Sequence, residues 1–331
     1  MPQLRQNIIT GEWVVIAPER AKRPSDFVVS ETVKAAAKIE DVFAVGAKVY
    51  KQQRLPGKYE SDHIYVIPNS YPAFVEDKEK CSNRTYQLEG FYRARPSTGG
   101  HDVVIIKEAD TDIYTFSTEI WHELFSMAKK RYQYWREDCN AEHSMLIYNH
   151  GIRSGASVAH PHAQIFASNI IPNQVYREIQ GSEKYFIDNG HNVFQDLIDH
   201  EKKEKQRIIA ENDEFLAFTF YAARFPFEVW VIAKEDGCHF DQEPETMLHS
   251  LGDMMKRVMK MYEQVLNRPH LNFFLHDLPK SIERSEFYRW HIEITPRVGS
   301  YGGYELGSGV IIDIISPEEA AEYLRGTKNR S

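Results

Sequence analysis

One order of elements occurs twice along this chain, and that repetition constrains the fold more than any single motif. In the first half, His101-Asp102-Val103-Val104-Ile105-Ile106 reads as a β-branched strand. Ser117 is placed to cap a helix with Glu119 in its first turn. Ile120, Leu124, Met127, Arg131 and Tyr134 then recur at helical spacing, with Arg131 expected to snorkel. Ser144-Met145-Leu146-Ile147-Tyr148-Asn149 is a second strand, leading through a loop into a third. The second half repeats the order: a strand over Phe227–Ile232, a helix lined by Leu248, Leu251, Met255, Val258, Tyr262 and Val265, a strand over Asn272–His276, and another over Tyr288–Ile294. The likeness lies in element order, not in sequence. With 331 residues, two domains are the prior. The pattern predicts an α+β fold of two related units, residues 1–172 and 173–331, each an antiparallel sheet packed by helices.

The third strand of the first half carries the chemistry. Gly155-Ala156-Ser157-Val158-Ala159-His160-Pro161-His162-Ala163-Gln164-Ile165-Phe166 runs from a small-residue loop into an apolar segment. On a strand, a side-chain period of two puts His160, His162 and Gln164 on one face. That is a poor core surface and a good polar site. Pro161 lacks an N–H and stiffens the backbone between the histidines. An imidazole whose Nδ1–H is accepted by a backbone carbonyl keeps its Nε2 lone pair free to act as a nucleophile. A lone H-x-H also fits ordinary polar residues or metal ligands. Asn149, Gly151, Gly155 and Ser157 add short polar groups and close backbone approach, as a phosphate or nucleotide site requires.

His160-Pro161-His162-Ala163-Gln164, led by Gly155-Ala156-Ser157, resembles the active-site signature of the galactose-1-phosphate uridylyltransferase family, a branch of the histidine-triad superfamily. Asn7–Pro18 resembles that family's N-terminal strand, Glu19–Pro24 its following basic turn, and Tyr304-Glu305 with Ser316–Ala321 its C-terminus. The resemblance spans nearly the whole chain. It implies two histidine-triad-like units, a catalytic His162 supported by Gln164 and His160, and a homodimer in which Arg20 or Arg23 reaches phosphate, where a solvated basic turn is the plain alternative. It also implies that Asn69, ending the strand Asp62–Asn69, lies near the nucleoside (a turn asparagine fits as well), and that Tyr304 and Glu305 meet sugar hydroxyls from a glycine-rich loop. The second unit lacks the H-P-H-x-Q pattern and is expected to shape the sugar pocket.

Composition narrows the setting. The N-terminus has no apolar stretch of signal-peptide type and no run reaches transmembrane length, so a cytoplasmic enzyme without membrane contact is expected. Cys81, Cys139 and Cys238 lie far apart, giving neither a disulfide framework nor a Cys-x-x-Cys pair. The net charge of −8 argues against nonspecific nucleic-acid binding. Residues 25–60 read as a long connection with a short helix near Val33–Lys38, and Ser316-Pro317-Glu318-Glu319 caps a closing helix that carries Ala320, Tyr323 and Leu324.

The chain also departs from the family pattern. Many members bind zinc through an early Cys-x-x-Cys, a further histidine and the first histidine of the motif. Here only His160 of that set is evident, and Thr111 stands at the further histidine's place, so zinc is expected to be lost. Glu178, His276 and His291 match three ligands of a second metal site. Arg289, two residues before His291, cannot ligate and is a candidate partner for Glu178, whereas Glu293, two after, can ligate. A polar cluster without metal is the favoured reading there, and no cofactor is required for the chemistry. The expected reaction is double displacement. His162 takes a nucleoside monophosphate, UMP first in expectation, from a nucleotide sugar such as UDP-glucose. It passes the group to a hexose 1-phosphate such as galactose 1-phosphate. The rivals are a phosphorylase taking ADP-glucose and phosphate, towards which Gly299 and Gly307-Ser308-Gly309 point, and a non-catalytic nucleotide-sugar-binding protein.

Overall fold

The computed structural model describes residues 1–20, 41–77, 87–235, 237–283 and 285–328. Arg23, Cys81 and the helix expected near Val33–Lys38 lie outside the described residues. In chain order, β1 (Gln3–Gln6) and β2 (Trp13–Ile16) form a hairpin, α1 (Lys48–Gln53) precedes β3 (Ile64–Pro68), and β4 (Gln87–Glu89) and β5 (Tyr92–Ala94) lead to β6 (Gly99–Ile106). Then come α2 (Thr118–Glu137), β7 (His143–His150) and β8 (His162–Ser168). The second half runs α3 (Asn173–Asn189), α4 (Val193–Glu204), β9 (Ile208–Glu211), β10 (Phe215–Thr219), β11 (Val229–Ala233), α5 (Glu245–Leu266), β12 (Leu271–His276) and β13 (His291–Pro296). Short α6 (Gly303–Ser308), β14 (Ile311–Asp313) and α7 (Pro317–Leu324) close the chain.

The repeated order of elements becomes one sheet. Its nine strands lie in the order β3-β6-β8-β7-β12-β13-β11-β10-β9, with antiparallel neighbours throughout. The run β3-β6-β8-β7 has its counterpart in β10-β11-β13-β12. The two runs meet where β7 pairs with β12, Asn149 opposite Asn272. A smaller sheet, β1-β2-β14, joins the two chain ends, with β14 parallel to β2. The α+β fold is as expected, but the two units share the nine-stranded and the three-stranded sheet.

Buried β-branched strands and two amphipathic helices make the main core. All of β6 is buried, and Val104 and Ile106 pack with Leu124, Phe125 and Ala128 of α2 and Leu251, Met255 and Val258 of α5. Ser117 caps α2 by accepting the Ile120 N–H at 3.2 Å. Arg131 does not snorkel. It is 3% exposed and donates to Asp102 at 2.8 Å, its guanidinium 4.3 Å from the Tyr134 ring centre. Helical period placed Arg131 on the buried face, and its partner arrives on β6. In the second half, two expected strands start later than read. Phe227 has a φ of 62°, outside strand geometry, and Trp290 donates its N–H to Gly237 O before β13 begins.

The opposite face of the sheet is covered unevenly. Over the second half, Val175 and Ile179 of α3 and Val193, Phe194 and Ile198 of α4 pack on Leu216, Phe218, Trp230 and Ile232. Over the first half, among the described residues, lies a light cover of Phe43, Val49 and Tyr50 against Tyr65, Ile67, Val103 and Ile105. Among the described residues no helix is long and apolar enough to cross a membrane.

Candidate active site

Strand register places the polar residues of β8. Ile105 pairs with His162, Val103 with Gln164 and His101 with Phe166. Directly opposed residues share a face, so His162, Gln164 and His101 all point to the lightly covered side. His162 and Gln164 therefore sit together as the period-two reading expects.

His162 is pinned through one nitrogen. Its Nδ1–H donates to His160 O at 2.8 Å, and since a carbonyl only accepts, the Nε2 lone pair is left for chemistry. Burial pushes the imidazole below its ordinary value of 6.5, which keeps it neutral near pH 7. The Phe43 ring centre lies 5.4 Å from that of His162, edge to face.

His160 departs from expectation. The strand begins at His162, and His160 lies just before it. Its Nδ1 lies 2.8 Å from Asp41 Oδ2 and its Nε2 lies 2.6 Å from Ile106 O. Both ring nitrogens thus face acceptors, and the ring anchors the loop that carries Phe43. Its backbone carbonyl still serves His162. Thr111, at the expected site of loss, bonds Thr115 Oγ1 at 2.9 Å.

Two residues of the site were missed by sequence reasoning. Asp41 lies in a stretch without periodicity, and its only signal was its charge. His101 was read as part of a strand. Its Nε2 lies 2.7 Å from Gln164 Oε1, its Nδ1 3.3 Å from the Ala73 N–H, and its ring stacks on Phe166 at 3.9 Å.

The remaining expected residues divide. Asn272 Nδ2 donates to Asn149 Oδ1 at 2.7 Å and to Ser154 O at 2.8 Å, tying the loop before β8 to the sheet. Gly151 enters that loop at φ 84°, where a Cβ would come within 2.3 Å of the His270 ring, so glycine is required. Gly155 at φ 88° and Ser157 are exposed in the same loop. Asn69 ends β3's turn by accepting the Tyr71 N–H at 2.9 Å, with Nδ2 3.2 Å from His101 Nε2. Arg20 is exposed at the end of a short turn, Pro18–Arg20. Tyr304 and Glu305 are in α6, not in an open loop. Glu305 accepts the Gly302 N–H at 2.9 Å, capping α6, which ends at Gly309 with φ 73°. Their bonds stay within that helix, which packs on β14 of the smaller sheet.

A second polar cluster lies on the same sheet face, under α3. Glu178, His276, His291 and Glu293 are each no more than 2% exposed, and one ligand-type atom from each lies within 4.8 Å of the others. His276 Nδ1 is 3.0 Å from both Glu178 oxygens, and Arg224 pairs with Glu293. His291 Nε2 and Glu293 Oε1 are buried without hydrogen-bond partners, the pattern of a ligand set around a cation. Arg289 does not pair with Glu178. It donates to Ala233 O and Lys234 O at 3.1 Å and to Gln195 Oε1 at 3.0 Å. Glu178 is taken by His276 and Tyr288 instead.

Fold and relatives together define an enzyme of the nucleotidyl-transferring or phosphorolytic class. The chain belongs to the galactose-1-phosphate uridyl transferase family, whose N-terminal domain matches residues 1–172 and whose C-terminal domain matches residues 178–297. It is 29% identical to the ADP-glucose phosphorylase of Arabidopsis thaliana over 98% of this chain and 92% of that protein. It is 24% identical to the galactose-1-phosphate uridylyltransferase of Thermotoga maritima over 99% of both. The crystal structure of an A. thaliana ADP-glucose phosphorylase with bound ADP-glucose superposes with a TM-score of 0.83 at 25% identity, covering 99% of this chain and 100% of that one.

Proposed function

We propose that the protein transfers a nucleoside monophosphate from a nucleotide sugar to a phosphate-bearing acceptor through a covalent intermediate on His162. The observation that carries this is the His162 Nδ1–H bond to His160 O at 2.8 Å, which leaves Nε2 as the free base. Nε2 attacks the α-phosphorus, the bond to the bridging oxygen breaks, and sugar 1-phosphate leaves. An oxygen of the acceptor then attacks the same phosphorus, the P–N bond breaks, and neutral His162 is restored. Gln164 donates from its amide to the phosphoryl oxygens; in the loop before β8 the Gly155 N–H is spent on Ile152 O, and Ser157 offers its backbone N–H.

ADP-glucose as donor with inorganic phosphate as acceptor is supported by the 29% identity to the A. thaliana phosphorylase, against 24% to the T. maritima uridylyltransferase. Gly299 and Gly307-Ser308-Gly309 point the same way. The transfer of UMP between UDP-glucose and galactose 1-phosphate is the second reading, supported by the full-length T. maritima relative. Mixing the protein with each nucleotide sugar alone, then adding phosphate or a hexose 1-phosphate, separates them. A mass increase of one nucleoside monophosphate on the His162 peptide is expected. Donor consumption by a His162→Gly variant at the wild-type rate would overturn the double displacement, and donor binding without any turnover would favour the binding-protein reading.

Two further features belong to this proposal. The chain acts as a homodimer, with Arg20 or Arg23 serving the neighbouring site; a fully active monomer by light scattering would contradict that. Glu178, His276, His291 and Glu293 are the residues that would hold a divalent cation, which supplies charge neutralisation between α3 and the sheet. The proposed transfer runs on His162 without it.

A further inference from the structure

Gln164 is useful to a phosphoryl group only one way round. Its NH₂ stabilises an anion, while its carbonyl oxygen repels one. An unrestrained amide turns over freely, so some neighbour must fix its sense. The chain of bonds behind Gln164 does so. The Ala73 backbone N–H is a donor without alternative, and it points at His101 Nδ1 at 3.3 Å. That nitrogen must accept, so the proton of a neutral ring sits on Nε2. Nε2–H then donates to Gln164 Oε1 at 2.7 Å, shorter than the 3.2 Å approach of Asn69 Nδ2 to the same nitrogen. With Oε1 occupied, the Gln164 NH₂ is turned towards the face it shares with His162.

We infer that His101 is a positioning residue for the transfer reaction, fixing the amide of Gln164 so that its donor side meets the phosphoryl oxygens. The ring is held for the task by stacking on Phe166 at 3.9 Å and by burial to 8% exposure. Burial also pushes its protonation below the ordinary 6.5, so the neutral tautomer persists near pH 7. Nothing in the motif H-P-H-x-Q points to this residue, which lies 63 positions away and reaches Gln164 across the β6–β8 pairing.

The inference rests on the His162 reading, and the test separates the two. Single-turnover formation of the His162 adduct is measured with ADP-glucose and UDP-glucose for the wild type, His101→Phe, Gln164→Ala and the double variant. His101→Phe keeps an aromatic ring on Phe166 and loses the N–H donor. It is expected to slow adduct formation by roughly 10-fold or more with little change in donor KM, the scale of a misdirected charge-stabilising donor. In the Gln164→Ala background the same change is expected to have no further effect, because the group it positions is gone. His101→Gln, which restores an N–H donor, is expected to recover part of the rate, and it carries the test if His101→Phe does not fold. No adduct in the wild type would sink the His162 reading itself. A wild-type adduct with His101→Phe at the wild-type rate, or slowed equally in both backgrounds, would overturn the role of His101 alone. If only His101→Gln folds, a rate no better than that of Gln164→Ala would overturn it too.

Discussion

Strands β8 and β13 occupy equivalent places in the two halves of the sheet, and their sequences align as His160-Pro161-His162-Ala163-Gln164 against Arg289-Trp290-His291-Ile292-Glu293. Each central histidine donates Nδ1–H to the carbonyl two residues earlier, at 2.8 Å for His162 and 3.1 Å for His291. The backbone frame is the same. What differs is the cover. His291 is fully buried, stacked 4.4 Å from the Trp230 ring and closed in by α3 and α4. Its Nε2 faces Glu293, whose carboxylate replaces the neutral amide of Gln164. His162 faces the side that, among the described residues, the Phe43 segment covers. A carbonyl-pinned imidazole becomes a reactive group or a ligand-type group according to which neighbours reach its Nε2.

The comparison breaks most sharply by removing the two histidines. A His162→Gly change is expected to abolish the adduct and to lower turnover by roughly 10⁴-fold or more, as for loss of a covalent nucleophile. His291→Ala is expected to leave adduct formation within about a few-fold. It should instead lower the melting temperature, by about 1–2 °C per kcal/mol lost at this chain size, because the buried cluster is opened. Thermal melts alongside quenched adduct assays check both. Equal loss of activity in the two variants would mean that β13 takes part in the reaction.

Next in size is the residue two places on. Gln164→Ala is expected to slow turnover by about 10²-fold with the fold intact. Glu293→Gln is expected to leave the adduct rate near wild type and to reduce any divalent cation retained through purification, read by elemental analysis. The same measurement tests the loss of zinc at the His160 site. One tightly held zinc that survives Glu293→Gln but not His160→Ala would overturn it.

This difference between the strands also marks what the sequence could show. Period two put His162 and Gln164 on one face because both partners lie within one strand. The repeated order of elements gave the α+β class because apolar periodicity is local. Neighbours brought by strand pairing were out of reach. His101 meets Gln164 only through the β6–β8 register, and Asp41 meets His160 across 119 positions. Arg131 was misread for the same reason, since its partner Asp102 comes from another strand. Glycines around Tyr304 suggested an open loop, whereas Glu305 supplies the cap that makes a helix there.

Asp41 gives a smaller expected effect. Its carboxylate holds His160, whose carbonyl in turn orients His162. Asp41→Asn keeps the volume and loses the charge. It is expected to reduce turnover by about 10-fold, the cost of a misoriented group near the reacting centre, while the adduct remains detectable. Wild-type rates in Asp41→Ala would show that β8 alone fixes the nucleophile.

The smallest effect is a displacement along the pH axis, and its sign follows from burial. His162 reacts as the neutral base, so adduct formation falls as pH drops through its titration. Burial holds that titration below 6.5, and the bond from Nδ1–H to His160 O opposes the shift without reversing it. The rate should therefore reach its half-maximal value on the acid side of pH 6.5. The diphosphate of a nucleotide sugar has no group titrating in that window, so kcat/KM for adduct formation reports the free protein. The groups around His162 bear on the result. His160 lies beside it, and positive charge on that ring adds to the lowering that burial begins. A half-maximal rate at or above pH 6.5 in the wild type would mean that His162 is better solvated than the Phe43 cover allows, and the contrast with His291 would shrink accordingly.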